Sequence, residues 1–148
     1  EVRLGTDNYL AGYQEIDIML DTFPYNGGAM TAASLYMGVP VVTIRGNHHS
    51  ARFGASLLSA AGYGEWIAEN PRSYVKIALQ LAADHGIRSI AFPSISTGVY
   101  SYPLDQAAEI AVRTVREYVE KNPDAMDAII WVLFDERTKA AYDKALKR

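Results

Sequence analysis

The chain is predicted to be an α/β protein, a single three-layer domain built on a mostly parallel, six-stranded sheet. Three observations predict it. Short β-branched runs alternate with longer stretches in which apolar residues recur every three or four positions, the order that parallel sheets with crossover helices require. At 148 residues, the chain is long enough for one core with a sheet covered on both faces. With 49% hydrophobic and 21% charged residues, its composition is that of an ordinary globular domain.

The elements follow in order. Val2-Arg3-Leu4 is a short strand, and Thr6 or Asp7 caps a helix running to about Gln14. Ile16 to Leu20 is a buried strand ending at Asp21. Ala29 to Met37 is a small-residue helix closed by Gly38, and Val39 to Ile44 is a β-branched strand. Ser50 to Ala61 places Phe53, Leu57, Leu58 and Ala61 on one helical face and stops at Gly62. Glu65 to Ala68 is a short edge strand. Pro71 to His85 is a helix with proline in its first turn and Gly86 at its end. Ser89 to Pro93 is a strand, Leu104 to Glu120 an amphipathic helix, Ala128 to Phe134 a strand, and Glu136 to Leu146 the closing helix. No linker, repeat or low-complexity tract marks a second domain.

Composition narrows the function. A net charge of −3 and no basic run exclude a phosphate-tracking surface, so no nucleic acid partner is expected. Arg113, Arg116 and Lys121 alternate with Glu109, Glu117 and Glu120 as a solvated helix face would. The absence of cysteine removes disulfides, thiolate metal sites and cysteine nucleophiles, and it suits the reducing cytoplasm. No apolar run approaches the roughly 20 residues a bilayer requires, so no membrane partner is expected. The chain begins at Glu1 without a methionine, as a fragment or a processed chain would.

Two loops carry candidate chemistry. Asp21-Thr22-Phe23-Pro24-Tyr25-Asn26-Gly27-Gly28-Ala29-Met30-Thr31 and Ser94-Ile95-Ser96-Thr97-Gly98-Val99-Tyr100-Ser101-Tyr102-Pro103 each follow a strand and precede a helix. There an α/β sheet offers free backbone N–H groups to an anion. The candidate ligand residues are Ser96, Thr97, Gly98, Val99 and Tyr100 in the later loop, Phe134 after the last strand, and Gly27, Gly28 and Thr31 in the earlier one. Asp17 and Asp21 lie at opposite ends of one strand, so Asp21 is assigned to loop bonding and not to catalysis. His48 and His49 are adjacent, not spaced along a helix face, so no metal site is expected. Ser94, Ser96 and Thr97 lack a histidine at a spacing that would make a hydrolytic triad. No cofactor is expected.

Residues from about Glu1 to Tyr74 resemble the nucleotide-binding half of O-linked N-acetylglucosamine transferases. The resemblance rests on Tyr13-Gln14-Glu15-Ile16-Asp17, the Asp21 to Gly28 string, Met37-Gly38-Val39-Pro40-Val41-Val42-Thr43 and Ser50 to Leu58. It implies that the threonine-containing helix start after the glycines meets a UDP diphosphate. Ala29 and Met30 replace residues that are commonly threonine, and Ala33 cannot bond a ribose hydroxyl. Residues from about Leu79 to Arg148 resemble the C-terminal half of macrodomains, through His85-Gly86-Ile87-Arg88-Ser89-Ile90-Ala91-Phe92-Pro93, the Ser94 to Pro103 loop and Leu104-Asp105-Gln106-Ala107-Ala108. This second resemblance implies that the Ser96 to Tyr102 segment wraps the diphosphate of ADP-ribose, with Phe134 beside the adenine. Ser101 stands where macrodomains usually carry a second glycine.

The two resemblances imply one Rossmann-like domain joined from fragments of about residues 1–78 and 79–148. If each half keeps its parental strand positions, the sheet order is 1-6-5-2-3-4, and both glycine-bearing loops open on one crevice. The adenine-reading and catalytic loops of macrodomains belong to their N-terminal half, which this chain lacks. The expectation is therefore an engineered chimera without enzymatic activity, a test of subdomain recombination. The alternative is a module that binds ADP-ribose, or a UDP-type nucleotide, weakly.

Overall fold

The computed structural model describes residues 10–94, 103–133 and 135–147. The strand expected at Val2 to Leu4 and the cap at Thr6 or Asp7 lie outside them. Five strands and five α-helices are present among the described residues: β1 (Met19–Leu20), α1 (Ala29–Tyr36), β2 (Val41–Ile44), α2 (Phe53–Ala61), β3 (Ile67–Ala68), α3 (Pro71–Asp84), β4 (Ser89–Pro93), α4 (Leu104–Lys121), β5 (Ala128–Val132) and α5 (Glu136–Leu146). The chain divides into two compact units, Glu1–Ile67 and Ala68–Arg148.

The expected single six-stranded sheet of order 1-6-5-2-3-4 is not what the chain forms. There is a three-stranded sheet of order β1-β2-β3 and a separate two-stranded sheet of β4 and β5. The parallel character holds: Met19 pairs with Val41 and Leu20 with Val42, while Ser89 through Pro93 pair in step with Ala128 through Val132. The physical reason for the correction is local. A strand and the next strand of its sheet are joined by one crossover helix, and that short connection decides the pairing. The order across the two fragments had no such connection behind it. β1 is also only two residues long, with Ile16 42% exposed before it, and so offers little edge to a further strand.

In the first unit, β2 reads Val-Val-Thr-Ile and is buried along its whole length. Continuous β-branched character is what a strand covered on both faces needs. Val41, Ala55, Leu58 and Ile67 form its core, with Met19, Leu35 and Trp66 packed against them. α2 starts later than its periodicity predicts, because His49–Ala51 form a tighter 3-10 turn first. It ends at Gly62, whose φ of +86° closes the helix with N–H bonds back to the last turn.

In the second unit, α3 begins with Asn70 and Ser73 capping each other, followed by Pro71 at the first helical position. α4 and α5 pack Ala108, Val112, Ala141, Tyr142 and Ala145 together, with Trp131 and Leu133 against them. The Tyr118 hydroxyl donates to the Leu79 carbonyl at 3.1 Å, tying α4 to α3. Arg88 holds Asp127 through two nitrogens at 2.6 and 2.8 Å, which pins the start of β4 to the start of β5. No helix among the described residues is long and apolar enough to cross a membrane.

Candidate functional site

The first candidate site grows from the end of β1. The Asp21 N–H still belongs to the sheet, donating to the Val42 carbonyl at 2.9 Å. Its side chain turns beneath the loop and is only 3% exposed. One carboxylate oxygen accepts from the Thr22 N–H at 2.9 Å and the Gly27 N–H at 2.7 Å. The other accepts from the Thr43 hydroxyl at 2.8 Å. Burial pushes the carboxyl above its ordinary value, and donation from Gly27, Thr43, Thr22 and Thr31 opposes that rise.

Asn26 locks the same loop from outside. Its amide nitrogen donates to the Thr22 carbonyl at 3.0 Å, and its oxygen accepts from the Gly54 N–H at 3.2 Å. Gly28 adopts φ +42°, a left-handed turn that only glycine enters cheaply, and starts α1 with no side-chain cap. In the first turn the Met30 N–H donates back to the Gly27 carbonyl at 2.9 Å. Thr31 is completely buried, and its hydroxyl lies against the Asp21 carboxylate. Gly54 keeps the floor open: a β-carbon there would sit 2.4 Å from both the Asp21 and Thr43 side-chain oxygens.

Gly27, Gly28 and Thr31 are thus brought together at one helix start. Asp21 does the loop bonding predicted for it, whereas Asp17 is exposed. Thr43 and Gly54 escaped the sequence reading. The signals were a hydroxyl inside an otherwise aliphatic strand and a glycine inside a helix. His48 lies 3.1 Å from the Ser50 hydroxyl and against the Tyr25 ring, and His49 packs edge-on to Phe53. Among the described residues no cluster of three His, Cys, Asp or Glu could hold a metal.

The second candidate site starts where β4 and β5 end. Because the two strands are parallel and in step, Pro93 lies opposite Val132 and the chain leaves both at the same edge. Ser96, Thr97, Gly98, Val99, Tyr100 and Phe134 lie outside the described residues, and so does Ser101. The flanks are described. The Ser94 hydroxyl interacts with the Tyr142 phenol, whose pKa burial raises and Ser94 partly restores. On the far side, Pro103 accepts the Ala107 N–H at 3.0 Å as α4 begins. Asp135 caps α5 by accepting the Thr138 N–H at 2.7 Å, and the Thr138 hydroxyl, together with that N–H, holds its carboxyl below the ordinary range. A cleft of about 440 Å³ lies between Pro103 and Asp105 on α4 and Arg137 and Lys144 on α5. These two cations were not singled out from the sequence, since they sit in an exposed helix with no motif around them.

The Macro domain family matches residues 64–111. The chain is 49% identical over 77 residues, 52% of its length, to a probable UDP-N-acetylglucosamine–peptide N-acetylglucosaminyltransferase SPINDLY of Eustoma exaltatum subsp. russellianum, covering 8% of that protein. It is 54% identical over 72 residues, 48% of its length, to the O-acetyl-ADP-ribose deacetylase of Klebsiella pneumoniae, covering 40% of that protein. Among solved structures, a Trypanosoma brucei macrodomain in complex with ADP superposes with a TM-score of 0.50 at 35% identity. The match covers 54% of this chain and 37% of that one. The chain thus spans less than half the length of each of these relatives. Its two parts resemble a transferase of the SPINDLY kind and macrodomains.

The comparison corrects one expectation. A protein without enzymatic activity was expected because half of the macrodomain was missing. Yet almost half of the chain is more than 50% identical to part of a protein named as an O-acetyl-ADP-ribose deacetylase, and that identity contradicts the expectation.

Proposed function

We propose that this chain binds nucleoside diphosphates, with ADP-ribose as the principal ligand of its second unit. Ser96, Thr97, Gly98, Val99 and Tyr100 would surround the diphosphate with backbone N–H groups and the Thr97 hydroxyl, and Phe134 would stack on the base. The observation that carries this reading is the in-step parallel pairing that ends at Pro93 and Val132, since it delivers the segments after β4 and β5 to one edge. The cleft beside that edge, with Arg137 and Lys144 on its wall, adds the positive field an anionic ligand favours. Gly27, Gly28 and Thr31 are the proposed contacts of a UDP-type diphosphate in the first unit.

The identity to the deacetylase favours a second reading, in which a bound O-acetyl ester of ADP-ribose is hydrolysed. Water would add to the acetyl carbonyl, the ester C–O bond would break, and acetate and ADP-ribose would leave. Calorimetric titration with ADP-ribose tests binding, and release of acetate from O-acetyl-ADP-ribose tests turnover. Heat without acetate retains the first reading alone. No heat at millimolar ADP-ribose removes both.

We also propose that the chain joins two fragments of different α/β parents, about 1–78 and 79–148. The 52% and 48% shares matched by the two kinds of relative support this, as does the lack of a linker between them.

A further inference from the structure

We propose that the cleft between α3 and α4 binds a small hydroxylated anion, a sugar phosphate or a sugar acid, through Lys76 and Lys121. The site is separate from the reading above and shares no lining residue with the cleft beside α5. Four-residue spacing builds it. Arg72, Lys76 and Gln80 form one stripe of α3, and Thr114, Tyr118 and Asn122 form a stripe of α4 beside Glu117 and Lys121. The two helices leave about 360 Å³ between these side chains, room for a small ligand. Thr114 and Tyr118 are buried and make the floor, while Arg72, Lys76 and Lys121 are exposed above it.

The charges in the lining do not balance. Three cations meet one carboxylate there, in a chain whose net charge is −3. The Glu117 carboxylate is already engaged, since Arg72 donates to it and Arg113 stands 3.9 Å away, one turn earlier on α4. Asp84, whose charge reaches Tyr118, lies outside the lining and accepts from the Gln80 amide at 2.8 Å. Lys76 and Lys121 form no ion pair among the described residues. Two ammonium groups are left to meet an anion from outside.

The neutral groups are set the opposite way. The Thr114 hydroxyl donates to the Ile110 carbonyl at 2.6 Å, and the Tyr118 hydroxyl donates to the Leu79 carbonyl at 3.1 Å. Each has one proton to give and has given it, which leaves an oxygen that can only accept. The Asn122 amide nitrogen donates to the Tyr118 carbonyl at 2.9 Å, and the side-chain oxygens of Asn122 and Gln80 accept nothing among the described residues. The cleft therefore asks one molecule for two things: hydroxyl donors for these oxygens and a negative charge for the lysines.

The test titrates the whole chain with glucose 6-phosphate and with gluconate, following the amide signals of Lys76, Gln80, Lys121 and Asn122. Glucose, inorganic phosphate and acetate supply the hydroxyls or the charge alone. Saturable shifts are expected with at least one hydroxylated anion, bound about fivefold or more tightly than any of the three controls. Which of the two binds tells whether the anionic group is a phosphate or a carboxylate. Lys76→Gln and Lys121→Gln, at exposed positions, are each expected to weaken binding about fivefold. Lys147→Gln, at the end of α5 and outside the cleft, should leave it unchanged. No saturable shift at the four residues with either hydroxylated anion overturns the inference, whether or not the variants fold. So does a bare anion or glucose that binds as tightly, or a loss in Lys147→Gln equal to that in the cleft variants.

Discussion

The two units solve the burial of a parallel sheet differently. In the first, β2 is covered on both faces and its four residues are almost wholly buried. In the second, the face of β4 and β5 bearing Phe92 and Trp131 is covered, but Ile130 is 52% exposed and Val132 62% on the other. Yet Ala-Ile-Ile-Trp-Val is as apolar as Val-Val-Thr-Ile. An apolar run therefore tells that a strand suits two-sided burial, and not that the chain at hand provides it. The polar chemistry differs as well. The first unit buries a carboxylate beneath its loop, whereas in the second Asp127 and Asp135 are exposed.

The largest expected contrast lies in the cores. Leu58→Ala in the first unit removes a side chain with no exposure and is expected to cost about 2–5 kcal/mol. In native-state hydrogen exchange, β2 should lose protection while α4 and α5 keep theirs. Equal loss in both units would show that they unfold as one. Next, Gly54→Ala forces a methyl group against Asp21 and Thr43 and is expected to cost about 1–3 kcal/mol by urea unfolding. A neutral result would mean that the floor of the loop yields more easily than its contacts imply.

Asp21→Asn sharpens the contrast through pH. Burial raises the folded pKa of Asp21, so its contribution to stability is present below the unfolded value and is lost as pH rises through the folded one. Asp127 and Asp135 act with the opposite sign: their folded values are lowered, chiefly by hydrogen bonds from Arg88 and Thr138. Their contribution is lost as pH falls through those folded values. The difference between wild type and D21N, measured by urea unfolding from acid to neutral pH, should therefore move against the wild type as pH rises. The smaller effects belong to the second unit. Asn70→Ala removes the cap of α3 for about 1 kcal/mol. Val132→Thr on the exposed sheet face should stay within about 0.5 kcal/mol.

Local structure was legible from the residues. Pro71 marked the start of α3, Gly62 ended α2, and the runs at Val39 to Ile44 and Ser89 to Pro93 yielded the strands Val41–Ile44 and Ser89–Pro93. Strand order across the two fragments was not legible, because periodicity identifies a strand without naming its neighbour. Loop chemistry was half legible. Gly27 and Gly28 announced a tight turn, and Asp21 was placed on the loop. That its carboxylate would be wholly enclosed needed Thr43 and Gly54, 22 and 33 residues further along. Their arrival depends on β1 pairing with β2 and on α2 packing against β2, which no local pattern encodes. The expectation of no enzymatic activity counted absent loops, whereas part of the chain that is present is 54% identical to a stretch of an O-acetyl-ADP-ribose deacetylase.

Amide chemical shifts followed during titration with ADP-ribose test the central claim most directly. Saturable shifts should gather at Ser94, Pro103-adjacent residues and Asp135 to Thr138, around the edge where β4 and β5 end, with β2 unmoved. An absence of saturable shifts there at millimolar ligand, or shifts confined to the first unit, would contradict it.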